Sequence, residues 1–533
     1  MMESAMRRIV AGMLWLACGC ALAQAPGGVV FEDGNGNGLR DDGEAGIAGV
    51  AVSNGRDVVR TDAGGRYVLP MAPGQTIFVV KPAGWRAPAG ADGLPAFWRQ
   101  QPLAQASGLR YGGIPAGELQ PQVDFALQKA DAADTDLDVL VFADPQPKSR
   151  TDIGYYRRDI VEPLVGHVRA ALGLSLGDIV DDDLSLYPEV NAVTTSLRVP
   201  WLHVAGNHDQ DTDARDDADA LQTYRRNFGP DTFAWEEARA TFVMLDDVIH
   251  RPGQKPAYIG GFRDDQFAFL EAWLPSVPKD RLLVVGMHMP LFEQGGRDTF
   301  RDVDRERLFG LLREFPHVLV LSAHNHTQQH WFHDASTGWH GAEPLHEYNV
   351  GANCGAFWSG VKDDAGIPDS TMADGTPNGY ATLQVRAGGG YALAWHPARL
   401  RDGDLAFTGA MALHAPKVLR AGAYPAWAVY ANVFMGRDDT RVEYRIDGGE
   451  WKPMRQTPQP DPRLQVENVR DDLADALRGY DRSPEAEPSA HLWRGALPTD
   501  IGVGEHVVEV RAFDAWQGEQ RASTRYRLLE AQP

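Results

Sequence analysis

The chain has 533 residues, of which 43% are hydrophobic and 23% charged, and its formal net charge is −22. This length favours two to four domains over a single core. The acidic balance argues against nucleic acid or an anionic membrane as the main partner, because such contacts depend on Lys and Arg neutralising phosphates, although bound cations would still allow a phosphorylated substrate.

Residues 1–23 have the pattern of a secretory signal peptide. A basic start precedes an apolar stretch, and the small residues Ala21 and Ala23 suit cleavage before Gln24. We therefore expect a periplasmic or secreted protein. A retained membrane anchor and a lipid on Cys20 stay open as alternatives, but the apolar stretch is short for a membrane span. No later segment is apolar over such a length, so we expect no membrane span in the mature chain.

Residues 27–128 show short strand patterns separated by turn residues, which predicts a small β domain. The strand candidates lie at 50–55, 61–69 and 76–80. Helical periodicity is absent from this part of the sequence. The stretch resembles the prealbumin-like β modules at the start of many secreted bacterial proteins.

Residues 33–44, within this domain, match the twelve-position pattern of a calcium-binding loop. Gly38 stands at position six, where the pattern needs a sharp turn. The candidate calcium ligands are Asp33, Asn35, Asn37, Leu39 through its carbonyl, Asp41 and Glu44. The alternative is a hairpin loop rich in Gly, Asn and Asp that binds no ion. A calcium ion here would be structural, since no chemistry is evident beside it.

Residues 135–404 alternate strand and helix patterns after a small, acidic linker, which predicts sheets covered by helices. Strand candidates lie at 137–142, 174–176, 201–204, 241–245, 282–285 and 318–321. Helical patterns lie between them at 152–172, 264–274 and 302–315, and the first is expected to bend at Pro163.

Residues 405–533 return to a β pattern, with strand candidates at 427–434, 441–447 and 505–514. Their spacing and the size of the region predict a β-sandwich. Residues 461–488 are polar and rich in Asp, Arg and Pro, so we expect a long insertion or loop there. The whole chain is thus predicted to be multidomain, with an α/β core between two all-β domains.

Five short polar segments each follow a predicted strand of the central domain. They supply Asp144, Gln146, Asp178, Asn207, His288, His324 and His326. Side chains at strand ends over a rigid sheet are well placed to build a metal centre. Two divalent cations about 3.5–4 Å apart need a shared carboxylate, further oxygen and nitrogen ligands, and open positions for water and substrate. The set predicts a dinuclear centre for phosphoester hydrolysis, with Asp178 as the best bridging ligand.

These segments, in their order, resemble those of calcineurin-like metallophosphoesterases over about residues 137–400, especially secreted members with a β domain on each side. The resemblance implies a two-sheet sandwich flanked by helices. It implies one ion held by Asp144, Gln146, Asp178 and His326, and another held by Asp178, Asn207, His288 and His324. Gln146 stands where many members have His, which favours Mn or Fe over Zn.

The resemblance also makes His208 the catalytic histidine outside the ligand set. With both cations bound, a bridging water would yield hydroxide near neutral pH and attack phosphorus. His208 would stabilise the phosphoryl charge and protonate the leaving oxygen, and Asp209 would orient its ring. Candidates on the substrate side are Tyr155, Trp358, Asp374, Asn378 and Tyr380. The aromatic rings among them could stack on a sugar or base, or they could simply pack within loops.

We therefore expect an exported phosphoesterase whose substrate, a phosphomonoester or phosphodiester, is a phosphorylated small molecule or an envelope component. One alternative is an envelope or glycan-binding protein with an inactive phosphoesterase-like core. Another is a nucleotide pyrophosphohydrolase, although the sequence has no base-specific motif. The oligomeric state stays open.

Overall fold

The computed structural model describes residues 26–130, 136–292, 299–400, 403–424, 426–479 and 481–531. The predicted signal peptide and nearly all of the predicted linker lie outside these ranges. The described chain forms an α/β core between two β domains, which confirms the predicted fold class. None of the helices in these ranges has the length and apolar character needed to cross a bilayer.

The N-terminal domain consists of short strands in two sheets. The strands are β1 (Gly27–Glu32), β2 (Ala51–Ser53), β3 (Val58–Arg60), β4 (Arg66–Val68), β5 (Thr76–Val79), β6 (Trp85–Arg86), β7 (Trp98–Gln100) and β8 (Phe125–Lys129). One sheet has the order β4-β1-β8-β6 and the other β3-β2-β5-β7. The predicted strands at 50–55 and 76–80 contain β2 and β5, whereas the stretch at 61–69 becomes a strand only at Arg66.

The loop that follows β1 carries the candidate calcium ligands. The buried carboxylate of Asp33 accepts hydrogen bonds from three backbone N–H groups within the loop, at 2.8 to 3.2 Å. The carboxylate of Asp41 contacts the side-chain amides of Asn35 (2.6 Å) and Asn37 (2.8 Å). Glu44 accepts from the backbone at both ends of the loop. The calcium site stays a prediction.

The central domain has two main sheets and a hairpin. Its strands are β9 (Leu137–Phe142), β10 (Leu172–Leu176), β11 (Trp201–Val204), β12 (Thr232–Glu236), β13 (Ala240–Leu245), β14 (Val248–His250), β15 (Tyr258–Gly260), β16 (Leu282–Gly286), β17 (Val318–Ser322), β18 (Gln329–His333), β19 (Leu345–Asn349), β20 (Gly379–Val385) and β21 (Tyr391–Pro397). The sheet orders are β11-β10-β9-β20-β21 and β12-β13-β16-β17-β19-β18. Strands β9 to β11 run parallel, as do β13, β16, β17 and β19, so their carboxyl ends share an edge of each sheet.

The α-helices of the described chain are short. They are α1 (Arg150–Tyr156), α2 (Tyr187–Thr195), α3 (Gln222–Phe228), α4 (Asp264–Trp273), α5 (Asp302–Leu312) and α6 (Pro462–Asp472). Helices α4 and α5 lie within the predicted helices at 264–274 and 302–315. The helix predicted over 152–172 is too long: α1 passes into a π-helical and then a 3-10 turn that ends at Leu164. Pro163 lacks a backbone donor and Gly166 has φ 77°, so the helix cannot continue to β10.

The N-terminal domain and the central domain share one continuous hydrophobic core. Phe78 packs edge-on against Phe269 with 5.7 Å between ring centroids, and Phe97 packs likewise against Trp235 at 5.4 Å. Beside them Lys81, only 1% exposed, forms an ion pair with Glu237. Because a buried ammonium without a partner is very costly, this pair fixes how the two domains fit together.

The C-terminal domain is a β-sandwich with a core of its own. Its strands are β22 (Met411–His414), β23 (Val418–Arg420), β24 (Ala428–Val433), β25 (Val442–Ile446), β26 (Lys452–Pro453), β27 (Arg455–Gln456), β28 (Leu492–Ala496), β29 (Gly504–Asp514) and β30 (Gly518–Leu529). They pair as β22-β24-β28-β27 and β23-β30-β29-β25-β26. The expected loop at 461–488 instead begins with α6, because Asp461 caps the helix by accepting from the N–H of Arg463 (2.6 Å) and Pro462 suits its first turn.

Candidate metal centre

The carboxyl ends of five parallel strands carry all the predicted metal ligands. The ligands and the strands they follow are Asp144 and Gln146 after β9, Asp178 after β10, Asn207 after β11, His288 after β16, and His324 and His326 after β17. Strands β9 to β11 belong to one sheet and β16 and β17 to the other. The two sheets therefore present their polar ends to each other.

Three other ligand side chains surround the Nε2 atom of His288. This nitrogen lies 3.0 Å from Oδ1 of Asn207, 3.2 Å from Nδ1 of His324 and 3.4 Å from Oδ1 of Asp178. His288 is fully buried, and Asp178 is 2% exposed. The cluster thus brings together one carboxylate, one amide and two imidazoles, the donor set that the sequence assigned to one of two ions.

The other predicted ligands form a neighbouring group around Asp144. Nε2 of His326 lies 3.7 Å from Oδ1 of Asp144, which in turn is 3.9 Å from Nδ1 of His288. Gln146 packs beside them, with its Oε1 atom 3.8 Å from the sulfur of buried Cys354. His288 therefore adjoins both groups, with Asp178 near its Nε2 atom and Asp144 near its Nδ1 atom.

Hydrogen bonds from the far side of two imidazoles orient them toward the cluster. Nδ1 of His288 lies 2.9 Å from the carbonyl oxygen of Leu176, and Nδ1 of His326 lies 2.6 Å from that of Gly355. A carbonyl oxygen only accepts, so each ring places its proton on Nδ1 and leaves Nε2 free as a donor atom to a metal. Such outer hydrogen bonds are the usual way to fix a ligating histidine.

The ligand loops are held in a strained backbone conformation. Five of the seven predicted ligands have positive φ, namely Asp144 (45°), Gln146 (39°), Asp178 (49°), His324 (71°) and His326 (50°). Each such residue costs about 1–3 kcal/mol, and strain of this kind persists where the surroundings impose it, most often at functional sites. Left-handed turns directly after the strands bend these side chains back over the sheet ends.

The charge balance of the cluster fits a bound cation. Burial lowers the pKa of His288, but the charge and hydrogen bond of Asp178 outweigh burial and raise it to about 10. Burial and the charge of His288 lower the pKa of His324 to about 3. Asp144, buried and close to Asp178, has its pKa raised to about 8. The buried carboxylates therefore require positive charge between the imidazoles, which a divalent cation would supply in place of protons.

His208 lies at the open side of the cluster, outside the ligand set. Its backbone N–H donates to Oδ1 of Asp178 (2.9 Å), and its Nδ1 atom lies 2.9 Å from Asp182 and 3.1 Å from Asp181. Burial lowers the pKa of His208, but the hydrogen bond to Asp182 and the charges of Asp178, Asp182 and Asp181 raise it to about 9. The three acidic neighbours therefore favour the charged form of the ring.

Asp209 does not contact the His208 ring, which corrects the orienting role expected for it. Its buried carboxylate accepts from the N–H of Gly206 (2.8 Å) and of Ile179 (3.1 Å), and from the hydroxyl of Tyr187 (2.9 Å). These bonds tie the loop after β11 to the loop after β10. The ring instead contacts Asp182 and Asp181, which belong to an acidic run at 181–183, a short distance after Asp178 in the sequence.

Gly206 is the tightest point between these loops. Its φ is ordinary (−113°), yet a Cβ built there would lie 2.2 Å from Oδ1 of Asp178. We expect Gly206→Ala to displace the Asp178 carboxylate, to cost about 1–3 kcal/mol of stability and to lower the metal content. Gly310, in the middle of α5 with nothing within 4 Å, is the matched control. Gly310→Ala should stabilise the protein by up to about 1 kcal/mol; equal melting temperatures and metal contents for both variants would contradict the steric argument.

Four of the five substrate-side candidates are buried and serve the structure. Tyr155 is 3% exposed, and its ring lies 6.2 Å from that of Trp358. Trp358 is fully buried, and its indole N–H donates to the carbonyl of Pro145 (3.0 Å), which supports the first ligand loop. Asn378 donates to Asp159 (2.8 Å).

Asp374 and Tyr380 complete this set. The Asp374 carboxylate accepts from the N–H of Gln328 (2.8 Å) and lies 3.1 Å from Nε2 of His491 in the C-terminal domain. Tyr380 is half-buried, and its ring stacks on that of His396 at 4.8 Å. Asp374 therefore joins the central domain to the C-terminal domain.

The Asp374 contact predicts a stability effect without an effect on substrate binding. Asp374→Ala leaves buried His491 and the Gln328 N–H without their acceptor, which should cost about 1–3 kcal/mol and lower the melting temperature. KM should be unchanged. Exposed Asp280 provides the control, since Asp280→Ala removes a carboxylate that is 82% exposed. A raised KM at an unchanged melting temperature would return Asp374 to the substrate site.

Three family models match the chain in succession. Residues 34–109 match the N terminal of calcineurin-like phosphoesterase, residues 137–328 the calcineurin-like phosphoesterase itself, and residues 347–519 its C terminal. The central match contains all seven predicted metal ligands and His208. Comparison with curated protein sequences found no match.

Two solved structures are similar over part of the chain. One is a purple acid phosphatase, PPD1, from seeds of yellow lupin (Lupinus luteus), with 11% identity and a TM-score of 0.37, covering 66% of this chain and 67% of that chain. The other is a cold-active protein-tyrosine phosphatase of a psychrophilic Shewanella species, with 10% identity and a TM-score of 0.22, covering 61% and 96%. At these TM-scores neither structure carries a conclusion, so the assignment to a family rests on the three family models.

Proposed function

Because the chain belongs to the calcineurin-like phosphoesterases, which are metal-dependent hydrolases of phosphoester bonds, we propose that it cleaves a phosphomonoester or phosphodiester at a dinuclear centre. The observation that carries this proposal is the meeting of Asp178, Asn207 and His324 around Nε2 of His288, at 3.0 to 3.4 Å, beside His208, whose backbone N–H donates to Asp178 at 2.9 Å. The intact ligand set gives no support to an inert binding protein.

The donor set also bears on the metals. We propose two divalent cations. Asp178, Asn207, His288 and His324 would hold one, and Asp144, Gln146, Asp178 and His326 would hold the other. Gln146 offers an amide oxygen, a harder ligand than imidazole, and this favours Mn or Fe over Zn. A structural calcium ion in the loop at 33–44 is part of the same proposal. Elemental analysis of the purified protein tests all three sites.

His208 supplies the proton chemistry of the chain itself. When bound, the cations supply Lewis acidity toward water and the phosphoryl oxygens. The acidic neighbours of His208 favour the doubly protonated ring, in which Nδ1–H donates to Asp182 at 2.9 Å and Nε2 also holds a proton. That proton stabilises charge on a phosphoryl oxygen and passes to the leaving oxygen as the ester bond breaks. Asp182 and Asp181 keep the ring charged before the step and hold its orientation after it.

The test of the proposed activity is turnover of p-nitrophenyl phosphate and of bis-p-nitrophenyl phosphate by protein loaded with Mn²⁺. We expect hydrolysis of at least one of them, its loss when EDTA removes the metal, and its return when Mn²⁺ is added back. The ratio of the two rates tells a monoesterase from a diesterase. A metal-loaded, folded protein that turns over neither would contradict the proposal.

We further propose that the protein is exported, as the pattern of residues 1–23 indicates. The mature chain is then expected to begin at Gln24 and to be found in the periplasm or the medium. N-terminal sequencing of protein from fractionated cells tests this. An unprocessed chain in the cytoplasmic fraction would contradict it.

A further inference from the structure

An exposed aromatic ring stands beside the metal ligands and has no part in the ligand set. Phe357 is 42% exposed, and its ring lies over that of His326 with 4.6 Å between centroids and a tilt of 33°. His326 is 8% exposed and contributes its Nε2 atom to the group around Asp144. One face of Phe357 therefore covers a ligand, and the ring remains accessible at the mouth of the site.

The backbone of Phe357 is strained in order to hold the ring there. Its φ is 57°, in the left-handed region that bulky residues rarely adopt. Glycine would adopt this conformation without cost, and it would expose no apolar side chain to solvent. A large exposed ring at such a position serves neither the backbone nor the core, and strain of this kind clusters at ligand-binding sites.

The ammonium of Lys148 lies close to this ring. Nζ of Lys148 lies 5.0 Å from the centroid of Phe357 and 3.9 Å from the carboxylate of Asp181, and its side chain is 38% exposed. Asp181 contacts Nδ1 of His208 at 3.1 Å. The accessible ring and the ammonium thus lie on the same open side of the centre as the catalytic histidine.

We propose that Phe357 and Lys148 form a binding platform for the organic group of the substrate, and that this group carries a ring. The ring of the substrate packs against the exposed part of Phe357, beside the ammonium of Lys148 that lies over the Phe357 ring at 5.0 Å, and this ammonium attracts negative charge on the adjoining phosphate. An aromatic alcohol, a nucleobase and a sugar all offer a ring face, so the substrate class is a phosphoester with a cyclic substituent rather than a simple alkyl one. This inference rests on the proposed function for its biological meaning, but its binding test does not.

Binding of two small phosphonates to the metal-loaded protein isolates the ring. Phenylphosphonate and methylphosphonate carry the same anionic group and differ in the substituent, and titration calorimetry gives Kd for each. We expect the wild type to bind phenylphosphonate about tenfold more tightly, the scale of one aromatic contact. Phe357→Ala should remove this preference, so that the Kd values of the two phosphonates become equal. The non-hydrolysable phosphonate analogues of a nucleoside monophosphate and of a hexose phosphate, titrated in the same way, tell the sources of the ring apart.

Phe332 provides a matched control outside the site. It is 46% exposed, its ring stacks on His346 at 4.6 Å, and the guanidinium of Arg437 lies 5.1 Å from it, but it belongs to β18 at the edge of its sheet. Phe332→Ala should keep the preference for phenylphosphonate. Phe357→Gly should lose the preference while melting above Phe357→Ala, because glycine relieves the strain at φ 57°.

A phenyl preference that survives in both Phe357 variants, or its absence from the wild type, would overturn the platform. Turnover reports on a different question. If the wild type hydrolyses neither p-nitrophenyl ester yet shows the Phe357-dependent preference, the proposed hydrolysis fails and the platform stands. If it hydrolyses both esters and shows no preference, the platform fails and the proposed hydrolysis stands.

Discussion

His208→Ala should lower kcat/KM for a phosphoester by roughly 10²–10⁴, the usual contribution of a general acid, while the metal content stays unchanged. The structure separates the two effects. The His208 ring is bound by Asp182 and Asp181 and not by the ligand cluster, so its removal takes away a proton and leaves the metal ligands in place. Steady-state kinetics and elemental analysis of the same preparation measure both.

Two variants sharpen this result. His340→Ala removes an exposed histidine far along the chain and should leave kcat/KM unchanged. Asp182→Asn keeps a hydrogen-bond acceptor but removes the charge that raises the pKa of His208, so an intermediate loss is expected. Full activity of His208→Ala would take His208 out of the mechanism, whatever the other variants show.

Asp178→Asn should weaken metal binding by more than about 100-fold, because changes to residues that merely support a ligand already cost 10–100-fold. Asp178 is buried, and its Oδ1 atom faces Nε2 of His288 at 3.4 Å. Burial raises the pKa of Asp178, but the charge and hydrogen bond of His288 outweigh burial and lower it. An amide would take one negative charge away from the cations that these side chains would hold. Metal content after dialysis against a weak chelator, measured by elemental analysis, gives the effect.

The control for Asp178→Asn is Asp264→Asn, the same chemical change at a side chain that is 99% exposed. It should retain wild-type metal content. Circular dichroism of both variants checks that the fold persists, since the loss expected for Asp178→Asn is one of ligation. Unchanged metal content in folded Asp178→Asn would contradict the bridging role.

Much of the metal centre could be predicted because its ligands directly follow buried parallel strands. Such strands appear in the sequence as continuous apolar runs, and the observed bounds of β9 and β11 are those predicted, 137–142 and 201–204. The carboxyl ends of parallel strands share one edge, so order along the chain was enough to gather Asp144, Asp178 and Asn207. The sequence alone could not show the left-handed backbone that aims them.

The surroundings of the ligands were less accessible to such reasoning. Asp209 is adjacent to His208 in sequence, yet its carboxylate turns inward to backbone N–H groups, whereas Asp182 reaches the ring from another loop. Phe357 has no sequence motif at all, because its exposure depends on a backbone dihedral angle. Contacts between loops are decided by tertiary packing, which local patterns do not contain.

The shared core of the first two domains has a practical consequence for anyone who shortens this protein. A fragment that starts at residue 136 would uncover Trp235 and Phe269, and would leave Glu237 without Lys81. Such a fragment should aggregate, whereas residues 26–400 should melt as one cooperative unit. The C-terminal sandwich has a second core, although Phe434 and Met435 pack into the shared one, so a scan of the full protein is expected to contain at most two peaks rather than three.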